Sequence, residues 1–70
     1  MCLSIPYQIK SISGLTATVK NYQRQEKLIQ VNLLKDARRG DWVTVLNGYA
    51  IEKITKKEAK DIINIFNTYE

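Results

Sequence analysis

Apolar side chains near the start of the chain recur at every second position, at Ile5, Tyr7 and Ile9. A period of two places them on one face of a strand resting on a core. Pro6 lies within that run, and proline has no N–H for a ladder, so it belongs at the strand's beginning or on an edge. Met1 to Ile5 then forms a projecting arm. After Ile12 the Ser13-Gly14 pair marks a turn. Leu15, Ala17 and Val19 resume the alternation, with Thr16, Thr18 and Lys20 on the opposite face. The first two strands make a hairpin.

The polar stretch Asn21–Lys27 is a second connection, and Ile29, Val31 and Leu33 share one face of a third strand over Leu28–Leu33. Leu34–Asp41 carries charge and Gly40 and reads as a loop. Trp42–Leu46, rich in β-branched and aromatic residues, is a fourth strand. Asn47-Gly48 is the strongest hairpin signal in the chain, because a type I′ turn needs two residues that tolerate positive φ. Tyr49–Ile54 is therefore strand five. The period then changes: Ala59, Ile62, Ile63, Phe66 and Tyr69 recur at spacings of three and four, and Thr55-Lys56-Lys57-Glu58 fits a capping box. That pattern predicts a helix from about Lys56 to Tyr69. The fold class is all-β: a small five-stranded OB-like β-barrel with a C-terminal α-helix that plugs or flanks it. Residues 1–70 form one domain, with the arm and barrel over 1–54 and the helix over 55–70.

Seventy residues, 44% of them hydrophobic, support only a thin core and leave little room for a substrate cleft. Eleven Lys/Arg against seven Asp/Glu give a net charge of +4, and the absence of histidine removes imidazole ligation and histidine acid–base catalysis. The one cysteine, Cys2, makes neither an internal disulfide nor, by itself, a structural zinc site, which points to a reducing compartment. No apolar run approaches the ~20 residues of a bilayer span, and no basic region followed by a long apolar run opens the chain. The expectation is a soluble, cytoplasmic protein without membrane association.

Cys2 holds a special position. Cysteine is small enough for Met1 to be removed readily, and a chain beginning at Cys2 offers an α-amine and a thiol on adjacent carbons. That pair closes a five-membered chelate ring on a soft or borderline metal, and the neighbouring ammonium favours thiolate at neutral pH. Position alone also fits a frayed terminal residue or a minor packing contact.

The surrounding residues add weight to the first reading. Met1-Cys2-Leu3-Ser4-Ile5-Pro6 resembles the opening of the HypC/HupF/HybG family of hydrogenase maturation chaperones, which start Met-Cys-aliphatic-small-aliphatic-Pro. Val31-Asn32-Leu33 is similar to the family's Val-Asn/Asp-Leu. Arg39-Gly40-Asp41-Trp42-Val43 resembles its Gly-Asp/Gln-Tyr/Trp-Val, and Gly48-Tyr49-Ala50-Ile51 its Gly-Phe/Tyr-Ala-Ile/Met. Glu58 and Ala59 stand where the family has acidic-Ala at its helix start. The likeness runs along essentially the whole chain. It implies a non-catalytic chaperone that carries iron transiently, as the Fe(CN)2CO group of NiFe-hydrogenase. Its implied partners are a HypD-type scaffold protein and then the hydrogenase large-subunit precursor. The family's iron-binding cysteine falls on Cys2. Leu3, Ile5 and Pro6 then shape the docking arm, and Gly48, Tyr49 and Ala50 belong to the partner-binding surface. Two positions depart from the pattern. Leu46 stands where most members have a histidine that is a proposed helper in iron-group binding, and leucine neither donates, accepts nor ligates. Tyr7 replaces the glycine that often follows the family's proline.

The alternative is an OB-like module binding single-stranded nucleic acid through a basic groove and stacking aromatics such as Tyr7, Tyr22, Trp42 and Tyr49. Lys10, Lys20, Arg24, Lys27, Lys35, Arg38 and Arg39 are dispersed among Glu26, Asp36 and Asp41, which favours a solvated surface over a phosphate track, so no nucleic-acid partner is expected. An enzymatic Cys2 nucleophile would lack a histidine to orient a base and a pocket for an oxyanion.

Overall fold

A computed structural model of the chain describes residues 5–68, with side-chain surroundings through residue 65. Its elements are β1 (Pro6–Ser13), β2 (Thr16–Lys20), β3 (Glu26–Gln30), β4 (Trp42–Leu46), β5 (Tyr49–Ile54) and α1 (Lys56–Thr68). The strands close a barrel in the order β1-β2-β3-β5-β4, β4 returning to pair with β1. All pairings are antiparallel except that of β3 with β5, which meet at Gln30 and Tyr49.

Alternation supplies the core. Tyr7 and Ile9 from β1, Ala17 and Val19 from β2, Ile29 from β3, Val43 from β4 and Ala50 from β5 point inward, and Val31 joins them just beyond β3. Burying each of the larger aliphatic side chains stabilises the fold by roughly 1.5–3 kcal/mol. Tyr7, an aromatic where relatives of the resembled family often have glycine, is buried, and the Lys27 ammonium sits 5.4 Å from its ring centroid.

Two bulges break the alternation. On β1, Ile9 pairs with Val19 and Ser11 with Thr18, so Lys10 is an extra residue. Beyond it the parity flips, and Ile12 lies opposite the buried Ala17. On β5, Glu52 faces Thr44 and Ala50 faces Val45, leaving Ile51 as the extra residue. Bulges of this kind bend a strand and raise its local twist, which helps so few strands close.

The expected boundaries need three corrections. Leu15 is not in β2: it shares the turn with Gly14, which takes φ 61°, and it stands exposed. The third strand begins and ends earlier than the hydrophobic pattern suggested. Buried Asn21 organises a tight connection, its Oδ1 accepting from the N–H groups of Gln23 (2.9 Å) and Gln25 (3.0 Å), so the ladder starts at Lys20 with Glu26. After Gln30 the Val31 N–H turns to the Leu15 carbonyl and Leu34 N–H bonds back to Val31, which ends the strand and leaves Leu33 exposed rather than in the core. Ile5, expected in the projecting arm, is half-buried and packs on the core cluster.

The helix starts as its capping box requires. The Thr55 hydroxyl accepts from the Glu58 N–H (3.1 Å), and a Glu58 carboxylate oxygen accepts from the Thr55 N–H (2.9 Å). Hydrogen bonding to the carboxylate by the Thr55 backbone N–H first, and by the Thr55 hydroxyl second, holds the Glu58 carboxyl below its ordinary value of 4.5. Ala59 is fully buried, Ile62 and Ile63 are half-buried, and α1 lies against β1. The helix therefore flanks the barrel, while Leu34 and Ala37 from the loop between β3 and β4 pack on the core. The Phe66 side chain and Tyr69, counted on the helix's apolar face, lie outside the described residues. Among the described residues no helix is long and apolar enough to cross a membrane.

Candidate functional site

The start of β1 and the β4–β5 hairpin occupy the same end of the barrel. Pro6 pairs with Thr44, and β4 runs two residues further to Leu46 before the chain reverses. Asn47 and Gly48 take φ 52° and 82°, the positive pair of a type I′ turn, and Tyr49 returns directly opposite Leu46. The Gln30 N–H donates to the Gly48 carbonyl (2.8 Å), tying the turn to β3. A Cβ added at Gly48 would meet nothing within 4 Å, so only its backbone angle calls for glycine there.

Pro6 occupies the first position of β1, as its missing N–H requires, and its side chain is almost wholly buried. With Ile5 packed on the core, the chain is anchored where it enters the barrel. Cys2 and Leu3 lie outside the described residues. Three extended residues span at most about 10–11 Å, so the Cys2 Cα has no greater reach from that of Ile5.

The hairpin presents apolar surface. Leu46, Tyr49 and Ile51 are 57%, 41% and 43% exposed. Ala50, expected on the partner surface, has its side chain fully buried, and so it holds the hairpin to the core rather than offering a contact. Ile51 was not singled out from the sequence. The bulge turns it outward, and the signal that could have found it is the three consecutive non-polar residues Tyr49-Ala50-Ile51, which strict alternation cannot bury together.

Thr44 lies across the ladder from Pro6 and is buried, and its Oγ1 has no hydrogen-bond partner among the described residues. The described residues also contain no group of three or more His, Cys, Asp or Glu placed to hold a metal ion.

The family model for HupF/HypC matches residues 1–66, a span that takes in the Met-Cys opening, the anchored Pro6 and the hairpin. The chain belongs to the HupF/HypC family. Among its relatives, the hydrogenase maturation factor HypC of Cupriavidus necator is 36% identical over 70 residues, covering all of this chain and 78% of that protein. Proteins of the same name from Rhizobium leguminosarum bv. viciae and Azotobacter chroococcum are 33% and 35% identical over 60 residues, 86% of this chain and 80% and 71% of theirs. Against this HupF/HypC background, Leu46 is an exposed apolar residue of the hairpin, available to a partner's apolar surface but not to a metal.

Proposed function

We propose that the chain is a non-catalytic maturation chaperone for NiFe-hydrogenase, a soluble cytoplasmic protein that carries the Fe(CN)2CO group on the Cys2 thiolate. It docks on a HypD-type scaffold and then on the hydrogenase large-subunit precursor. The observation that carries this reading is the family match over residues 1–66, with relatives named as hydrogenase maturation factors, one of them aligned with all 70 residues of this chain. The geometry supports it. A short leader tethered at Ile5 and Pro6 lets a thiol enter a partner's cavity while the barrel stays outside, and the exposed Leu46, Tyr49 and Ile51 stand at the same end to meet that partner.

The iron group is cargo, so its binding must be exchangeable. In this reading the Cys2 thiolate donates a lone pair to iron. Delivery breaks that Fe–S bond as an acceptor thiolate forms its own, with no change in oxidation state. Leu46 supplies no ligand, so the remaining positions fall to the terminal amine or to groups on the partner. The nucleic-acid alternative is less well served. Tyr7 is buried, Tyr22 and Trp42 are half-buried, and Tyr49 stands alone among the exposed aromatics of the described residues.

The test is complementation. In cells lacking their own copy, the wild-type chain is expected to restore hydrogenase activity and Cys2→Ala is not, while the purified variant keeps its circular dichroism spectrum. Full activity with Cys2→Ala overturns the proposal.

A further inference from the structure

A second feature lies along the outer wall of β1. A cleft of about 350 Å³ is lined by Gln8, Ile9, Lys10, Arg39 and Gly40. Its polar groups are organised by one another. The Gln8 side-chain amide donates to the Gly40 carbonyl (3.1 Å), and its oxygen accepts from the Lys10 ammonium (2.9 Å). The floor is fixed by backbone bonds in both directions, Gly40 N–H to the Ile9 carbonyl (2.8 Å) and Ile9 N–H to the Asp41 carbonyl (2.9 Å). Lys10 is the extra residue of the β1 bulge, a device that re-aims a side chain.

No acid neutralises this pair of cations among the described residues. The nearest carboxylate in sequence, Asp41, is engaged elsewhere: its Oδ2 lies 3.4 Å from the Lys53 ammonium and accepts from the Arg38 N–H (3.0 Å). Lys10 bonds only a neutral amide oxygen, and Arg39 is exposed without an acidic partner. Two cations lining a polar concavity suit an anion, and the guanidinium fork pairs with two oxygens of one acidic group, as a carboxylate offers. A nucleic-acid strand would need a run of cations and stacking faces, and no aromatic residue lines the cleft.

We propose that this cleft is a carboxylate-anchoring site for an acidic segment of a protein partner. The inference deepens the chaperone reading and rests on it for the partner's identity. β1 joins the two features: Pro6, where the leader enters the barrel, is four residues from Lys10, about 13 Å along a strand. A partner that takes the Cys2 leader therefore reaches the cleft on the same strand, and a carboxylate seated there fixes how the barrel sits while the thiol exchanges its cargo.

The experiment is a nuclear magnetic resonance titration of the full chain with a tetraglutamate peptide, following the Gly40 backbone amide and the Gln8 side-chain amide. Saturable shifts of both signals are expected, absent with a tetraglutamine peptide and weakened at least about tenfold in Lys10→Ala/Arg39→Ala, whose positions are exposed. Shifts that never saturate, or that the double variant leaves unchanged, overturn the proposal. So does tighter binding of oligothymidylate at the same signals, which would make this a nucleic-acid site. In cells, Lys10→Glu/Arg39→Glu is expected to reduce hydrogenase maturation by a similar factor while the purified chain still carries iron. The peptide titration judges the cleft by itself, and Cys2→Ala complementation judges the chaperone reading, so failure of either is seen separately.

Discussion

Replacing Thr44 with valine should make this protein more stable. The Thr44 Oγ1 is buried and finds no hydrogen-bond partner among the described residues, and Pro6, directly across the ladder, has no N–H to offer it. An unsatisfied buried hydroxyl costs roughly 1–3 kcal/mol. Valine keeps the β-branch, the shape and the strand preference of threonine while removing that cost. The expected gain is about 1 kcal/mol or more, which for a domain of this size raises Tm by roughly 4–8 °C per kcal/mol. Thr44→Ser supplies the control. It retains the hydroxyl and loses a methyl group, so it should fall below wild type by about 1 kcal/mol. The assay is thermal and urea unfolding of the three proteins side by side. If Thr44→Val unfolds at or below the wild-type midpoint, the hydroxyl has a partner after all and the reasoning is wrong.

Two other substitutions probe the elements that frame the site. Gly48→Ala places a side chain at φ 82° with open space around it, so the cost is the backbone strain alone, about 1 kcal/mol; an unchanged unfolding midpoint would contradict the turn geometry. Thr55→Ala removes the helix cap and should lower stability by about 1 kcal/mol in the same assay. The Glu58 carboxyl is held below its ordinary value of 4.5 in the folded chain, so its contribution is fully present above that value and fades as pH falls through the lower, folded one. An acid titration of helical ellipticity should show this loss in wild type and a flatter profile in Glu58→Gln, which has no carboxyl to titrate; identical profiles would remove the Glu58 carboxylate from the account.

Much of the fold is legible in the chain because its signals are local. Alternation over Ile5, Tyr7 and Ile9, the Asn47-Gly48 pair and the Thr55–Glu58 box each specify a strand, a turn and a cap from a few adjacent residues, and each is realised. The β3 boundaries were not legible. They are set by the Asn21 side-chain bonds and by the Val31 N–H turning to Leu15, contacts that hydrophobic periodicity does not carry. The bulges at Lys10 and Ile51 left only faint traces, a three-residue step from Ile9 to Ile12 and an unbroken run after Tyr49, yet they place the residues that line the cleft and extend the hairpin's apolar face. Cys2 drew attention through its position and its neighbours in sequence. The burial of Ala50, by contrast, emerges only once β4 and β5 are paired.

The most direct measurement of the central claim is the infrared spectrum of the chain purified anaerobically from cells that are building hydrogenase. The account predicts cyanide and carbonyl stretching bands, with iron, on the wild-type protein and neither on Cys2→Ser. Bands of equal strength on the serine variant, or iron without diatomic ligands on the wild type, would contradict it.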